Sequence, residues 1–456
     1  MRVTRTNGGR IRLVGAALAV VLAGGTGAAV QGWSGGFDDA RERGAHERGP
    51  GHGQGPGHGQ GPGHGPGRDE GRAKNVIFIV GDGMGMAHRE LIRLTTVGRE
   101  GELAMNQLRY QGWAQTDPAD PEEVVTDSAA GATAFSTGVR SYNGAIAVDL
   151  DGNPVRTLLE RAERAGKSTG LVTTSQVTDA TPAAFGSHVA DRGNQSEIAR
   201  QFIEESEVEV ILGGGEDWWY PAGAEGQWPD NPASDPSEQS KGTAGNLVER
   251  AQSLGYRYVS TAEELAAAPD RGRLLGLFAN EEMFEHTGPA APLYEPSVPL
   301  TDMASKALDI LSRDRDGFFL VIEEEGIDEM AHHGHGQEMV EAGRALDETV
   351  ALAREFASRN RDTLIVVAGD HETGGLAIEN PDENDESGEG EQAEEGPFTL
   401  AGTDLTFYVD WTTGGHTGGA TPASAEGPGA SAMIDVRDNT DIHDLVLDAM
   451  RLGRRS

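Results

Sequence analysis

The sequence predicts an α/β fold with a large mixed, mostly parallel central sheet sandwiched between helices. Apolar runs of five or six residues recur between Asn75 and Ala368 without alternation, as strands covered on both faces require. Segments with apolar residues three and four apart lie between those runs. No internal repeat is visible after residue 72, so one large domain accommodates both kinds of element.

The runs come in a fixed order. Asn75 to Val80 (NVIFIV) ends on Gly81, and Lys167 to Thr173 (KSTGLVT) and Val208 to Leu212 (VEVIL) repeat the theme. Gly317 to Ile322 (GFFLVI) and Thr363 to Ala368 (TLIVVA) close the series. Helices are predicted over Arg156–Ala165, Gln195–Glu205, Asp302–Ser312 and Gln337–Arg359. A last helix, Ile442–Leu452, is expected to be capped by Thr440 or Asp441. Small residues dominate after Ser128 in Thr126-Asp127-Ser128-Ala129-Ala130-Gly131-Ala132, so a helix there can lie close to the sheet. Such a helix puts Ser128 at an N-terminus, where backbone N–H groups favour an anion; an ordinary capping Ser or Asp is the plainer reading of the same residues.

The ends are of a different kind. Arg2, Arg5, Arg10 and Arg12 precede an apolar run, Leu13 to Val30, and Gly27-Ala28-Ala29 offers small residues for cleavage. Residues 1–29 therefore read as a signal peptide, and the protein as exported, periplasmic or extracellular, with no membrane attachment after cleavage. Residues 30–72 read as a Gly/Pro/His-rich linker. A Gly-Pro-Gly-His-Gly-Gln unit repeats from Gly49 to Gly67, too poor in apolar surface to build a core. Its His52, His58 and His64 also admit a weak metal-collecting role. Half of Glu379 to Glu395 is acidic, the mark of a solvated loop.

Composition excludes several functions. Lys plus Arg is 37 against 74 Asp plus Glu, a formal charge of −37. That argues against a general basic surface for nucleic acid or anionic lipid. Cysteine is absent, which removes disulfides, thiolate metal sites and cysteine nucleophiles. Gly-x-Ser-x-Gly occurs at Gly32 to Gly36, in the linker, and at Gly166 to Gly170, inside an apolar run and not at a strand-to-helix turn, and Gly213-Gly214-Gly215 is not followed by Gly-Lys-Ser/Thr, so neither a nucleophile elbow nor a P-loop is supported.

The polar residues that remain sit after the apolar runs. NVIFIV leads into Asp82, GFFLVI into Glu323 and Asp328, and TLIVVA into Asp370-His371-Glu372. Ligands of parallel sheets bind beyond the carboxyl ends of the strands, so three strand ends deliver carboxylates to one rim. Asp328 and His332 are four apart and share a face on a helix. His416 lies between glycines in Gly414-Gly415-His416-Thr417-Gly418. Mixed carboxylate and imidazole donors suit zinc or another borderline divalent ion, whereas calcium takes oxygen alone.

Together these segments resemble the alkaline phosphatase family from about Asn75 to the C-terminus. The resemblance rests on Asp82-Gly83-Met84-Gly85, Thr126-Asp127-Ser128-Ala129-Ala130, Asp179-Ala180-Thr181-Pro182-Ala183-Ala184, Ile211-Leu212-Gly213-Gly214-Gly215, Asp370-His371-Glu372-Thr373-Gly374-Gly375 and Gly415-His416-Thr417-Gly418. It implies a mixed sheet of roughly ten strands and often a homodimer. It also implies two zinc ions and one magnesium ion, with cobalt able to replace zinc. By resemblance Ser128 is the nucleophile, and Asp82, Asp370 and His371 hold the zinc beside it. Asp328, His332 and His416 hold the second zinc; Asp82, Thr181 and Glu323 hold magnesium. Arg192 grips phosphate, and Asp179 organises water on the magnesium. The expected reaction is hydrolysis of small phosphate monoesters through a phosphoserine. A phosphodiesterase on the same scaffold and a non-enzymatic extracellular metal-binding protein are the rivals.

Four departures stand out. Glu323-Glu324-Glu325 leaves the strand-end carboxylate open to a one-residue slip, with Glu323 matched by its distance from Asp328. His332-His333-Gly334-His335 is crowded, and His335 shares the face of Asp328 if the helix continues. Glu329 is an acid where relatives often carry a basic or aromatic residue. Ala420 to Glu426 (ATPASAE) is polar and poor in β formers, which argues against a strand there. Trp218, Trp219 and Tyr220 occupy a Gly/Pro-rich insertion and are read as packing of a long loop.

Overall fold

A computed structural model describes residues 71–230, 239–285, 292–380 and 394–453. The leader, nearly all of the linker and most of the acidic stretch fall outside the described residues. The strands are β1 (Asn75–Gly81), β2 (Tyr110–Ala114), β3 (Ser168–Gln176), β4 (Val210–Gly214), β5 (Arg257–Val259), β6 (Leu274–Leu277), β7 (Phe318–Glu324), β8 (Thr363–Gly369), β9 (Glu372–Thr373), β10 (Leu376–Glu379), β11 (Glu395–Thr399), β12 (Thr406–Trp411), β13 (His416–Thr417) and β14 (Thr421–Glu426). The helices are α1 (Met86–Thr96), α2 (Ser128–Thr137), α3 (Leu158–Arg164), α4 (Ala180–Gly186), α5 (Gln195–Glu204), α6 (Leu247–Ser253), α7 (Ala262–Ala267), α8 (Leu300–Leu311), α9 (Gly326–His332), α10 (Gly336–Arg359) and α11 (Asn439–Met450).

Nine of the described strands form one sheet in the order β2-β14-β8-β1-β7-β3-β4-β6-β5. From β8 to β5 every pairing is parallel, and β14 runs antiparallel to both its neighbours. The predicted mixed, mostly parallel sheet is therefore present, one strand short of the expected ten among the described residues. β1 and β8, and β7 up to Ile322, carry continuous apolar runs because helices cover both faces. Ile77 and Ile79 face one core cluster with α8 and α10 residues, and Val76, Phe78 and Val80 face a second with α2, α4 and α11 residues.

Two expectations need correction. ATPASAE forms β14, buried from Thr421 to Ala425. It is held by pairing on both sides, with Ala423 opposite Ala368 of β8 and Gly112 of β2. Pro422 precedes the paired stretch with β8, where its missing N–H costs no ladder bond. Context overrides the weak propensity here. The cap of α11 is Asp438, whose side chain accepts from the Thr440 N–H, while Asp441 reaches back to the Asp438 N–H. The helix thus starts earlier than the apolar periodicity suggests. Trp219 is fully buried in the second core cluster and the Trp218 indole N–H donates to Gln176 Oε1 of β3 at 2.7 Å, so these aromatics pack the long loop against the sheet.

The register of the central strands sets the site. Val80 lies beside Glu323 and Ala368, and Gly81 beside Glu324 and Gly369. Asp82, Glu323 and Asp370 therefore emerge side by side at the carboxyl end of the sheet. Phe78 stands beneath them, its ring 5.5 Å from Phe135 and 5.4 Å from Phe185. Phe78→Ala removes that three-ring contact and is expected to cost about 3–5 kcal/mol, measured as a lower urea midpoint at unchanged slope.

Candidate active site

Each site residue sits on the end of an element. Asp82 follows β1, Asp370 and His371 follow β8, and Glu323 ends β7 on its inner face. Asp328 and His332 lie on α9, four apart, with His332 Nε2 3.1 Å from Asp328 Oδ2. The helix stops there because Gly334 adopts φ +66. His335 is thus removed from the Asp328 face and its ring packs on His333 instead. His416 lies on β13, paired with Thr373 of β9. Ser128 begins α2, capped by Asp127, whose carboxylate accepts from the Ala130 N–H. Gly131 lets this helix approach: a Cβ there would lie 3.2 Å from the Asp370 carbonyl oxygen.

The hydrogen bonds fix the tautomers of the three imidazoles. His332 Nδ1 is 2.8 Å from the Gly414 carbonyl and His416 Nδ1 is 2.9 Å from that of Thr126. A carbonyl only accepts, so both Nδ1 atoms carry protons. Thr373 donates its hydroxyl proton to Asp328 and accepts from His371 Nδ1 at 3.2 Å. All three Nε2 atoms therefore point inward. Those of His332 and His416 are 3.2 Å apart, which repels unless a proton or a cation lies between them. His371 Nε2 faces Ser128 Oγ at 3.1 Å, Asp82 Oδ1 at 3.2 Å and Asp370 Oδ2 at 3.4 Å.

Two groups of donor atoms close enough to share an ion result, Asp82-Asp370-His371 and Asp328-His371-His416. Asp82 Oδ1, Asp370 Oδ2 and Thr181 Oγ1 are buried and accept or donate no hydrogen bond. Donor sets of this kind fit divalent cations. Glu323 lies against the Thr181 and Asp82 side chains and accepts from Thr173 at 2.6 Å. Glu324, the one-residue slip, is turned away and satisfied by Thr174, Tyr294 and the Gly326 N–H. Strand alternation thus favours Glu323 as the inner carboxylate.

Charges reflect the crowding. Burial, then Asp328 and Glu323, push Asp82 well above the carboxylate range; burial, then Asp82, do the same to Asp370. Burial pushes Glu323 up to about 7 and Glu324 up to about 8. Burial also lowers His416 to about 4, with His371 adding to it. His332 rises to about 9, because its bond to Asp328 outweighs burial. Arg192 is clasped by Asp179 Oδ1 at 2.7 Å and Asp127 Oδ2 at 3.4 Å, which places it beside Ser128. Thr373, the hydroxyl joining both donor groups, was not singled out from the sequence. Its position two residues beyond His371 on an extended segment was the available signal.

A buried serine at a helix N-terminus, facing carboxylates and imidazoles at the strand ends, defines an α/β enzyme with an active centre that calls for cations. The alkaline phosphatase family model matches residues 73–408, and the chain belongs to that family. Alkaline phosphatase 3 of Bacillus subtilis is 32% identical over 441 residues, covering 83% of this chain and 89% of the relative. The alkaline phosphatase of the Antarctic bacterium TAB5 superposes with a TM-score of 0.68 at 26% identity, covering 84% of this chain and all of that one. A variant of the TAB5 enzyme, solved with magnesium in its M3 site, has a TM-score of 0.67 at 26% identity, covering 85% of this chain and all of that one.

The buried groups predict how metal-depleted protein responds to pH. Glu323 and Glu324 hold protons more tightly folded than unfolded, so the fold loses stability as pH rises from the ordinary glutamate value of 4.5, and the loss is complete once pH passes about 7 and 8. His332 has a raised pKa, so its contribution is full below the unfolded value and is lost as pH rises through about 9. In chelator, the melting temperature is expected to fall between about pH 4.5 and 9, while protein loaded with divalent metal holds a flatter profile over that range. Scanning calorimetry at fixed ionic strength reads this directly.

Proposed function

We propose that the protein is an exported phosphatase that hydrolyses phosphate monoesters through a phosphoserine on Ser128. The observation that carries this reading is Ser128 Oγ, 3.1 Å from His371 Nε2 and buried at the first turn of α2. In the proposed arrangement Asp82, Asp370 and His371 hold one zinc, and Asp328, His332 and His416 hold the other. Asp82, Thr181 and Glu323 hold magnesium; a magnesium ion in the M3 site of the TAB5 variant supports the choice of metal. When bound, these ions stabilise the serine and leaving-group oxygens and acidify water at the strand ends.

The chain's own groups account for the rest. The α2 N-terminus and the Arg192 guanidinium receive the phosphoryl oxygens. Ser128 Oγ attacks phosphorus in line, the ester P–O bond breaks and the alcohol leaves. Water then attacks the phosphoserine from the same side as the departed alcohol, releasing inorganic phosphate and restoring the hydroxyl. Two inversions leave phosphorus with net retention. Since the contacts converge on the phosphoryl group, many alcohols qualify as leaving groups. The leader sequence supports export.

Ser128→Ala is expected to lower monoester turnover by roughly 10³-fold or more while bound zinc and magnesium remain near wild-type amounts. Acid quenching of wild type with labelled substrate is expected to trap label on Ser128. Full turnover in the variant, with no trapped label in wild type, would refute the nucleophile assignment. Chelator is expected to abolish activity, and adding back zinc, cobalt and magnesium one at a time identifies which ions restore it.

A further inference from the structure

We infer a hard-cation site beside the serine centre, built from Glu325, Asp328 and Glu329. One carboxylate oxygen from each lies within 4.8 Å of the other two. Clustered acids alone are unremarkable at a helix start. Glu325 supplies the independent observation: the residue is only 4% exposed, and its Oε2 is buried with no hydrogen-bond partner. Its neighbours in the chain are accounted for. Glu323 is engaged by Thr173, and Glu324 by Thr174, Tyr294 and Gly326.

Leaving a buried carboxylate oxygen unpaired costs several kcal/mol in order of magnitude, and placing it against two more acids adds repulsion. Three carboxylates this close together, one of them buried, leave the group short of positive charge. A divalent ion supplies that charge. The donors are all oxygen, which selects magnesium or calcium over zinc. Glu329 is half-buried and offers access from solvent. Asp328 is the shared member: its Oδ1 faces His371 and His416, and its Oδ2 faces His332. A carboxylate that bridges two cations is chemically ordinary, so occupancy here is expected to be felt at the neighbouring imidazoles.

The test uses full-length protein loaded with zinc and magnesium, titrated with calcium chloride and, separately, with manganese chloride as a paramagnetic stand-in. Wild type is expected to take up one more equivalent than Glu325→Gln/Glu329→Gln, by equilibrium dialysis and by the manganese resonance signal. Glu329→Gln alone, a half-exposed change that leaves folding intact, is expected to weaken that uptake at least about tenfold. Thr181→Val is expected to keep it, which separates this position from the one around Asp82, Thr181 and Glu323. Manganese-soaked crystals are expected to show an anomalous peak between the three carboxylates. Equal uptake in wild type and Glu329→Gln, with no such peak, overturns the inference. Monoester turnover measured on the same samples reports the phosphatase reading separately, so one can fail without the other.

Discussion

Everything at the strand ends depends on three imidazole protons being pinned outward. Gly414 and Thr126 hold two of them with backbone carbonyls, and Thr373 holds the third with a hydroxyl whose own proton goes to Asp328. The Nε2 atoms then have only carboxylates, one another and a serine for company. At about 4 Å two like unit charges repel by about 4 kcal/mol in a surface-like dielectric, and more when buried. Several such contacts together are a large fraction of the stability of any domain. Protons offset part of this cost: burial first, and then the neighbouring carboxylates, make Asp82 and Asp370 hold theirs tightly. Cations offset it better, since each serves several donors at once.

The sheet makes that crowding permanent. β1 sits between β8 and β7, so parallel pairing aligns their ends within a residue. Asp82 cannot move from Asp370 without breaking ladder bonds in the most buried strands. The helices finish the enclosure. α2 lies close because glycine and alanine line it, and β13 reaches the site by pairing with β9 directly after His371. Glu372 ties that pair down, accepting from the Gly375 and Leu376 N–H groups and from the Thr417 hydroxyl. A rigid frame of this kind has its donors in place before any ion or substrate arrives.

Much of this was legible in the sequence, and the boundary has a physical cause. Continuous apolar runs such as NVIFIV and TLIVVA announce strands buried on both faces, and the residues after them announce the rim. The candidate ligand residues read from that rim are brought together in space. What escaped was decided by partners far away in sequence. ATPASAE is a strand because β8 and β2 flank it, a fact no local propensity contains. The start of α11 was set by Asp438, hidden among acids that equally well cap or decorate. Thr373 looked like motif filler until its hydroxyl was seen bridging Asp328 and His371. The Glu323-Glu324-Glu325 run separated only when alternation showed which oxygens had partners.

Arg192 shows how electrostatics divides the work in so acidic a chain. Two acids, Asp179 and Asp127, clasp the guanidinium, and Asp127 also caps the serine helix. The clasp aims the remaining N–H groups and removes much of the entropy that a free arginine loses on binding. It also cancels most of the guanidinium's charge. Phosphate attraction therefore cannot rest on arginine in a molecule of formal charge −37. It must come from positive charge held at the strand ends, where the carboxylates that repel a phosphate are the same ones that gather cations. In the proposed arrangement the arginine orients the phosphoryl group, and ions held at the strand ends supply the attraction. On this division, substituting Arg192 loosens and misaligns the substrate, whereas emptying the strand ends removes the reason for it to approach.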